Sequence, residues 1–278
     1  MMVIKSVGEV EVLRKSSLLV SKTLAEIAKY VKPGISGLEL DKIAEDFLKD
    51  HGASPSFKGY NGFPNALCIS VNDEVVHGIP NNKSFQEGDV VSVDCGAYMN
   101  GFHGDQAFSF ALAGATQEVV KLLRVTRKSL ELGVENATSS NRVGDIGYAV
   151  QNFCERQHGY GVVRELVGHG LGSSIHEEPE IPNFGRKGYG RRLLNGLVIA
   201  IEPMINLGSR RVRLAEDGWT IKTADGKPSA HFEHDVAVGL KADILTTFDL
   251  VDEAIAKNEN VIEVPSWDGE EKNKENIS

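Results

Sequence analysis

Asn100-Gly101 constrains this chain more than any other pair of residues in it. Asn-Gly favours the two-residue turn in which both central residues take positive φ, and that turn joins antiparallel strands. The flanking runs agree. Residues 89–95 are rich in valine, and the stretch from Phe102 to Ala111 alternates bulky and small side chains. A further strand-like run covers 66–71 (Ala-Leu-Cys-Ile-Ser-Val). The hairpin carries one acid in each arm, Asp94 and Asp105. Two carboxylates brought together repel unless a proton or cation lies between them, and a divalent metal ion answers that need.

Helical patterns precede and follow the hairpin. Between Glu9 and Val31, Leu13, Val20, Leu24, Ile27 and Val31 fall at helical spacing, and Pro33-Gly34 ends the run. Ser36 with Glu39 is a capping-box signature for a second helix closed by Gly52. Helices follow at 117–133 and 143–158, the latter closed by Gly159. Strand-like runs come near 163–167, 197–202, 219–223 and 232–240. Two helices then strands, twice over, give an α+β chain of two related halves, about 1–112 and 113–257, in a single domain. Residues 258–278 are polar and charged; the expectation is a mobile tail, with Trp267 as its one group able to dock.

Charge and cysteine content narrow the function. A net charge of −9 argues against nucleic acid and membrane surfaces as partners, since both require a basic face. No run of about 18 apolar residues suggests a membrane span, and the start lacks the pattern of a signal peptide. Three scattered cysteines suit a reducing compartment, so the expected location is cytoplasmic.

Further candidate ligands lie beyond the hairpin. Gly168-His169-Gly170 flanks an imidazole with residues that permit close backbone approach. His176 follows seven residues later, a spacing that puts the two histidines on no common helix face. Glu202 ends the apolar run Val198–Ile201, and Glu233 lies in His231-Phe232-Glu233-His234. A carboxylate there is costly to bury unless paired or metal-bound. His77, in Asn72–Pro80, reads by itself as a turn residue after a strand. One imidazole with four carboxylates favours Co, Mn, Fe or Zn in a shared site over a closed structural zinc. Four such charges are balanced better by two ions than by one.

In their order and spacing these segments resemble type I methionine aminopeptidases from about residue 5 to 245. The resemblance rests on Asn72–Pro80, Asp94, Gly101-Phe102-His103-Gly104-Asp105, Gly168–Gly172, His176–Pro179, Ile201–Met204 and Glu233-His234. It implies the "pita-bread" fold of the creatinase/aminopeptidase superfamily, two pseudo-symmetric α+β halves around a curved antiparallel sheet. It also implies two divalent ions on Asp94, Asp105, His169, Glu202 and Glu233, with Asp105 and Glu233 bridging. The implied reaction is removal of the initiator methionine from nascent polypeptides with a small second residue, by a metal-held hydroxide with Glu202 as proton acceptor. His176 is implied to meet the scissile carbonyl and His77 the peptide nitrogen. Tyr60, Phe63, Cys68, His77 and Trp219 match the methionine pocket. The chain departs from the expected pattern at Ile175, where an aromatic is usual, and at Asn61, where histidine is usual. The resemblance also implies transient contact with the ribosome.

Two other readings compete with this one. Enzymes of the same fold that cleave at proline usually carry a large extra N-terminal domain, for which the early first helix leaves no room. A non-catalytic peptide- or ribosome-binding module would be marked by a missing ligand, and all five are present. No long helical insert of the type II subgroup is expected between His169 and Glu233.

Overall fold

The computed structural model describes residues 2–264 and Trp267. Helix α1 (Val7–Ala28) starts at a capping box in which Ser6 and Glu9 satisfy each other's backbone N–H groups. Helix α2 (Gly37–Asp50) repeats the device with Ser36 and Glu39, as its sequence signature implies. The hairpin forms with Asn100 and Gly101 both at positive φ (55° and 86°), joining Val90–Met99 to Phe102–Leu112. Leu67–Val71 and Ser54–Pro55 pair with the Val90–Met99 strand, completing one side of a curled antiparallel sheet.

Helices α3 (Gln117–Glu135) and α4 (Val143–Gln151) then repeat the helix pair, and α4 runs on into a wider π-helical turn, Asn152–Gln157. The second large sheet holds, in order, Asp243–Ile244, His234–Ala237, Val198–Ile201, Gly168–Gly170 and Glu177–Ile181. Residues 163–167, expected as strand, instead link two short strands, Gly161–Val162 and Gly168–Gly170. The apolar content of 163–167 goes into packing: Val163 is buried beside Val75, Val76 and Met204. The main core lies between the helices and the sheets, filled by Phe108, Phe110, Phe232 and aliphatic side chains.

Helix α1 lies very close on the hairpin. A Cβ on Gly104 would come within 2.4 Å of the Ser17 nitrogen, so only glycine allows this crossing. The crossing holds α1 one residue from Asp105. The body does not stop at residue 257. The Asn258 amide donates to the carbonyls of Ala28 and Val31, each at 2.8 Å, and Val261–Ile262 adds a strand beside Phe102–Leu112. Trp267 packs edge-on against Phe153. The buried edge of the Phe102–Leu112 strand, which needs a partner for its backbone groups, recruits these residues. The remainder of the charged C-terminal stretch lies outside the described residues. No described helix is long and apolar enough to cross a membrane.

Candidate active site

Asp94 and Asp105 are diagonal neighbours across the hairpin. Asp94 faces Ala107 and Asp105 faces Gly96, so both side chains leave the same face two registers apart. After burial, the charge of Asp94 is among the causes that raise the Asp105 carboxyl. Glu202 and Glu233 owe their positions to a break in another ladder. Ile201 pairs with His234, and Met204 with His231, but residues 202–203 and 232–233 between them are unpaired. The chain changes sheet there, and the break brings both glutamates to the hairpin. The Glu233 N–H donates to the carbonyl of Ala107 at 3.0 Å.

His169 is held in an inner strand of the second sheet, flanked by Val198–Ile201 and Glu177–Ile181. A Cβ on Gly168 would lie 2.3 Å from the Ala200 oxygen and one on Gly170 2.4 Å from the Glu178 oxygen. The two glycines are therefore required by the strands on either side. The His169 Nδ1 lies 2.9 Å from the Gly170 carbonyl, which can only accept, so Nδ1 carries the proton. The bare Nε2 points inward, 3.5 Å from Glu202 and 3.9 Å from Asp105. Asp105, His169 and Glu233 present donor atoms all within 4.8 Å of one another.

This donor set fits a divalent cation. Asp94 Oδ1, Asp105 Oδ1 and Glu233 Oε1 are buried with no hydrogen-bond partner among the described residues. Burial pushes Asp94 up to about 7 and Glu202 up to about 8. Burial, then the charge of adjacent carboxylates, holds Asp105 and Glu233 well above the usual range. Without a cation the cluster must keep protons; with one it can ionise. Burial also drives His169 down to about 3 and His77 to about 4, leaving both rings neutral.

The cluster forms the floor of a cavity of about 230 Å³. Tyr60, Asn61, Phe63, Cys68, His77, His176 and Trp219 line the rest, together with Phe57. Phe63 and Trp219 meet edge to face at 5.2 Å. His77 is indeed a turn residue, at φ 58°, but its ring enters the cavity. Ile175 does not reach the cavity: it is buried behind the wall, in the apolar cluster that contains Phe63, Cys68 and Leu171. Asn61 sits at φ 47°, a left-handed conformation that Asn and His both adopt more readily than most residues. Its departure from histidine therefore leaves the turn intact.

Two supporting residues escaped sequence reasoning. His231 is buried with Nε2 3.7 Å from Glu202. Asp235 is wholly buried; it accepts from the Ser17 hydroxyl at 2.6 Å and from the Asp105 N–H at 2.8 Å, fixing the backbone of a cluster acid to α1. Each lies two residues from Glu233, a separation whose meaning depends on the break in the ladder.

A carboxylate–imidazole cluster in the hollow of a curled antiparallel sheet is the centre of a metallopeptidase, and the chain belongs to metallopeptidase family M24, which it matches over residues 11–239. Within that family it stands with the methionine aminopeptidases. It is 49% identical to the methionine aminopeptidase of Clostridium perfringens over 86% of this chain and 95% of that protein. The crystal structure of the Thermotoga maritima methionine aminopeptidase superposes with a TM-score of 0.87 at 40% identity, covering 89% of this chain and all of that one. A Xaa-Pro dipeptidase from Bacillus anthracis, 20% identical with a TM-score of 0.70 over 88% of this chain and 62% of its own, shares the fold alone.

Proposed function

We propose that this enzyme removes the N-terminal methionine from polypeptides with a small second residue, using two divalent ions held by Asp94, Asp105, His169, Glu202 and Glu233. In this reading Asp105, His169 and Glu233 would hold divalent metal together, with Asp94 and Glu202 beside them completing the donor set. The carrying observation is a single cavity with an apolar wall at one end and the partnerless carboxylates at the other. Divalent ions bound there would supply activation of water and stabilisation of charge on the carbonyl oxygen.

The chain's own groups do the rest. Phe63, Cys68 and Trp219 receive the thioether side chain and exclude water from it; sulfur against aromatic edges is a favourable contact. His176, at the rim, donates a hydrogen bond to the scissile carbonyl, and His77 stands by the peptide nitrogen. The Glu202 carboxylate takes the proton of the attacking water and returns it to the leaving amine. Restriction to a small second residue would follow from steric limits around the scissile bond. The substrates are nascent chains, met at the ribosome in the cytoplasm; cobalt, manganese, iron or zinc each suit the donor set.

The test is release of free methionine from Met-Ala-Ser and Met-Lys-Ser by metal-stripped protein, with and without Co²⁺ or Mn²⁺. Metal-dependent release from the first peptide alone is the expected result. No release with any metal, from folded protein, refutes the reading.

A further inference from the structure

His169 and His176 are in ring contact, with centroids 4.3 Å apart in a T-shaped arrangement, yet their Nδ1 atoms meet opposite chemistry. His169 Nδ1 faces the Gly170 carbonyl at 2.9 Å, which accepts only. His176 Nδ1 faces the Tyr60 hydroxyl at 2.9 Å, which can donate. Which ring nitrogen of a neutral histidine holds the proton is set by the partner of the other nitrogen. The first arrangement leaves Nε2 of His169 bare, as a metal ligand must be. The second, with the hydroxyl donating, leaves the proton of His176 on Nε2.

We propose that Tyr60 is a positioning residue that fixes His176 as the Nε2–H tautomer, so that two adjacent histidines are set in opposite roles, one as ligand and one as hydrogen-bond donor. This rests on the reading of His176 as donor to the scissile carbonyl. A carbonyl oxygen offers only lone pairs, so a His176 with a bare Nε2 could not bind it.

The backbone around Tyr60 is built to hold the ring still. Gly59, Asn61 and Gly62 all have positive φ (85°, 47° and 87°), which wraps the chain into one tight turn. The turn is closed by hydrogen bonds from the N–H of Tyr60 to the Phe57 carbonyl at 2.9 Å, of Phe63 to Tyr60 at 2.9 Å, and of Gly59 to Phe63 at 2.8 Å. Phe63, the last residue of the turn, is buried against Trp219. The hydroxyl is thus presented from a rigid base, and the Tyr60 and His176 rings lie 5.2 Å apart. A residue serving only as apolar wall would need neither the hydroxyl nor its alignment with Nδ1.

The test is nitrogen-15 NMR of the zinc-loaded enzyme with labelled histidine, at a pH near 8, where an ordinary imidazole is neutral. A His176→Gln variant assigns the signal. Wild-type His176 is expected as the Nε2–H tautomer, with Tyr60→Phe turning it into a mixture of both. In the same variant kcat on Met-Ala-Ser should fall about tenfold, with KM and zinc affinity each within about twofold, as loss of one orienting hydrogen bond implies. An Nδ1–H tautomer in the wild type overturns the proposal, because Tyr60 then accepts. An unchanged Nε2–H tautomer in Tyr60→Phe also overturns it. The tautomer is read whether or not methionine is released, so failure here is distinct from failure of the proposed reaction.

Discussion

Removing metal from this protein should make its stability fall as pH rises above neutral, the reverse of the usual behaviour of buried acids held in ion pairs. A carboxyl whose folded pKa exceeds its unfolded value of ~4 binds more protons when folded, so its contribution is complete at low pH and lost as pH rises through the folded value. Glu202, held at about 8, and Asp94 and Asp235, each at about 7, all titrate in this way from pH 7 to 8. The buried imidazoles act with the opposite sign. They are depressed, His169 to about 3 and His77 to about 4, so their contribution is complete above ~6.5, and pH 7 to 8 isolates the acids. At ~1.4 kcal/mol per proton per pH unit, the three acids lose together about 1–2 kcal/mol over that unit. Unfolding entropy of ~2.1 cal/mol/K per residue gives about 0.6 kcal/mol/K for a chain of 278 residues, so Tm should drop by at least about 2–3 °C, with Asp105 and Glu233, raised in the same direction, adding to the fall. Adding Mn²⁺ at a thousandfold its Kd contributes about 4 kcal/mol, which raises Tm by about 7 °C. The assay is thermal unfolding by circular dichroism of chelator-treated protein at pH 7.0, 7.5 and 8.0, with and without Mn²⁺. A metal-free Tm that is flat or rises over this range would refute the argument that uncompensated carboxyls crowd the site.

Glu202→Ala should lower turnover at least a thousandfold, since it removes a ligand and the proposed base together; peptide hydrolysis within a few-fold of wild type would sink that role. His77→Asn, chosen because asparagine accepts the left-handed backbone at φ 58°, should cut kcat ten- to a hundredfold while bound metal, measured by atomic emission, stays unchanged. Metal loss in step with activity would make His77 a ligand instead. Trp219→Ala removes the edge-on partner of Phe63 and should reduce the preference for methionine over alanine at the first residue by about ten- to a hundredfold in kcat/KM. Unchanged preference would show that the indole serves packing alone.

Local signals carried much of the fold. The Asn100-Gly101 turn needs no distant partner to dictate a hairpin, and the Ser36–Glu39 capping box closes within four residues, so both were legible. The stretch 163–167 was not, because a short apolar run has the same composition whether it pairs as strand or packs as loop, as Val163 does. The order of the candidate ligands was legible through their flanking residues. Gly168 and Gly170 announced close backbone approach, and the distances of 2.3 Å and 2.4 Å to neighbouring oxygens give its cause. The departure at Ile175 could not be placed from its neighbours, because adjacency to His176 in the chain does not fix where a side chain packs; it lies buried in the apolar cluster with Phe63 and Cys68.

The sequence by itself determined the elements and the chemical inventory: capped helices, a committed hairpin, and one imidazole with four acids beside apolar runs. These depend on dihedral preference, spacing and the cost of burying charge, all read within a few residues. Only the tertiary structure decided convergence. Glu202 and Glu233 meet the hairpin because one ladder breaks at residues 202–203 and 232–233. Asp235 reaches the backbone of Asp105, 130 residues away, because Gly104 lets α1 close on the strand. Tyr60 finds His176 across 116 residues because a tight turn aims its hydroxyl. Such contacts are set by how surfaces pack in space, and no local preference along the chain encodes them.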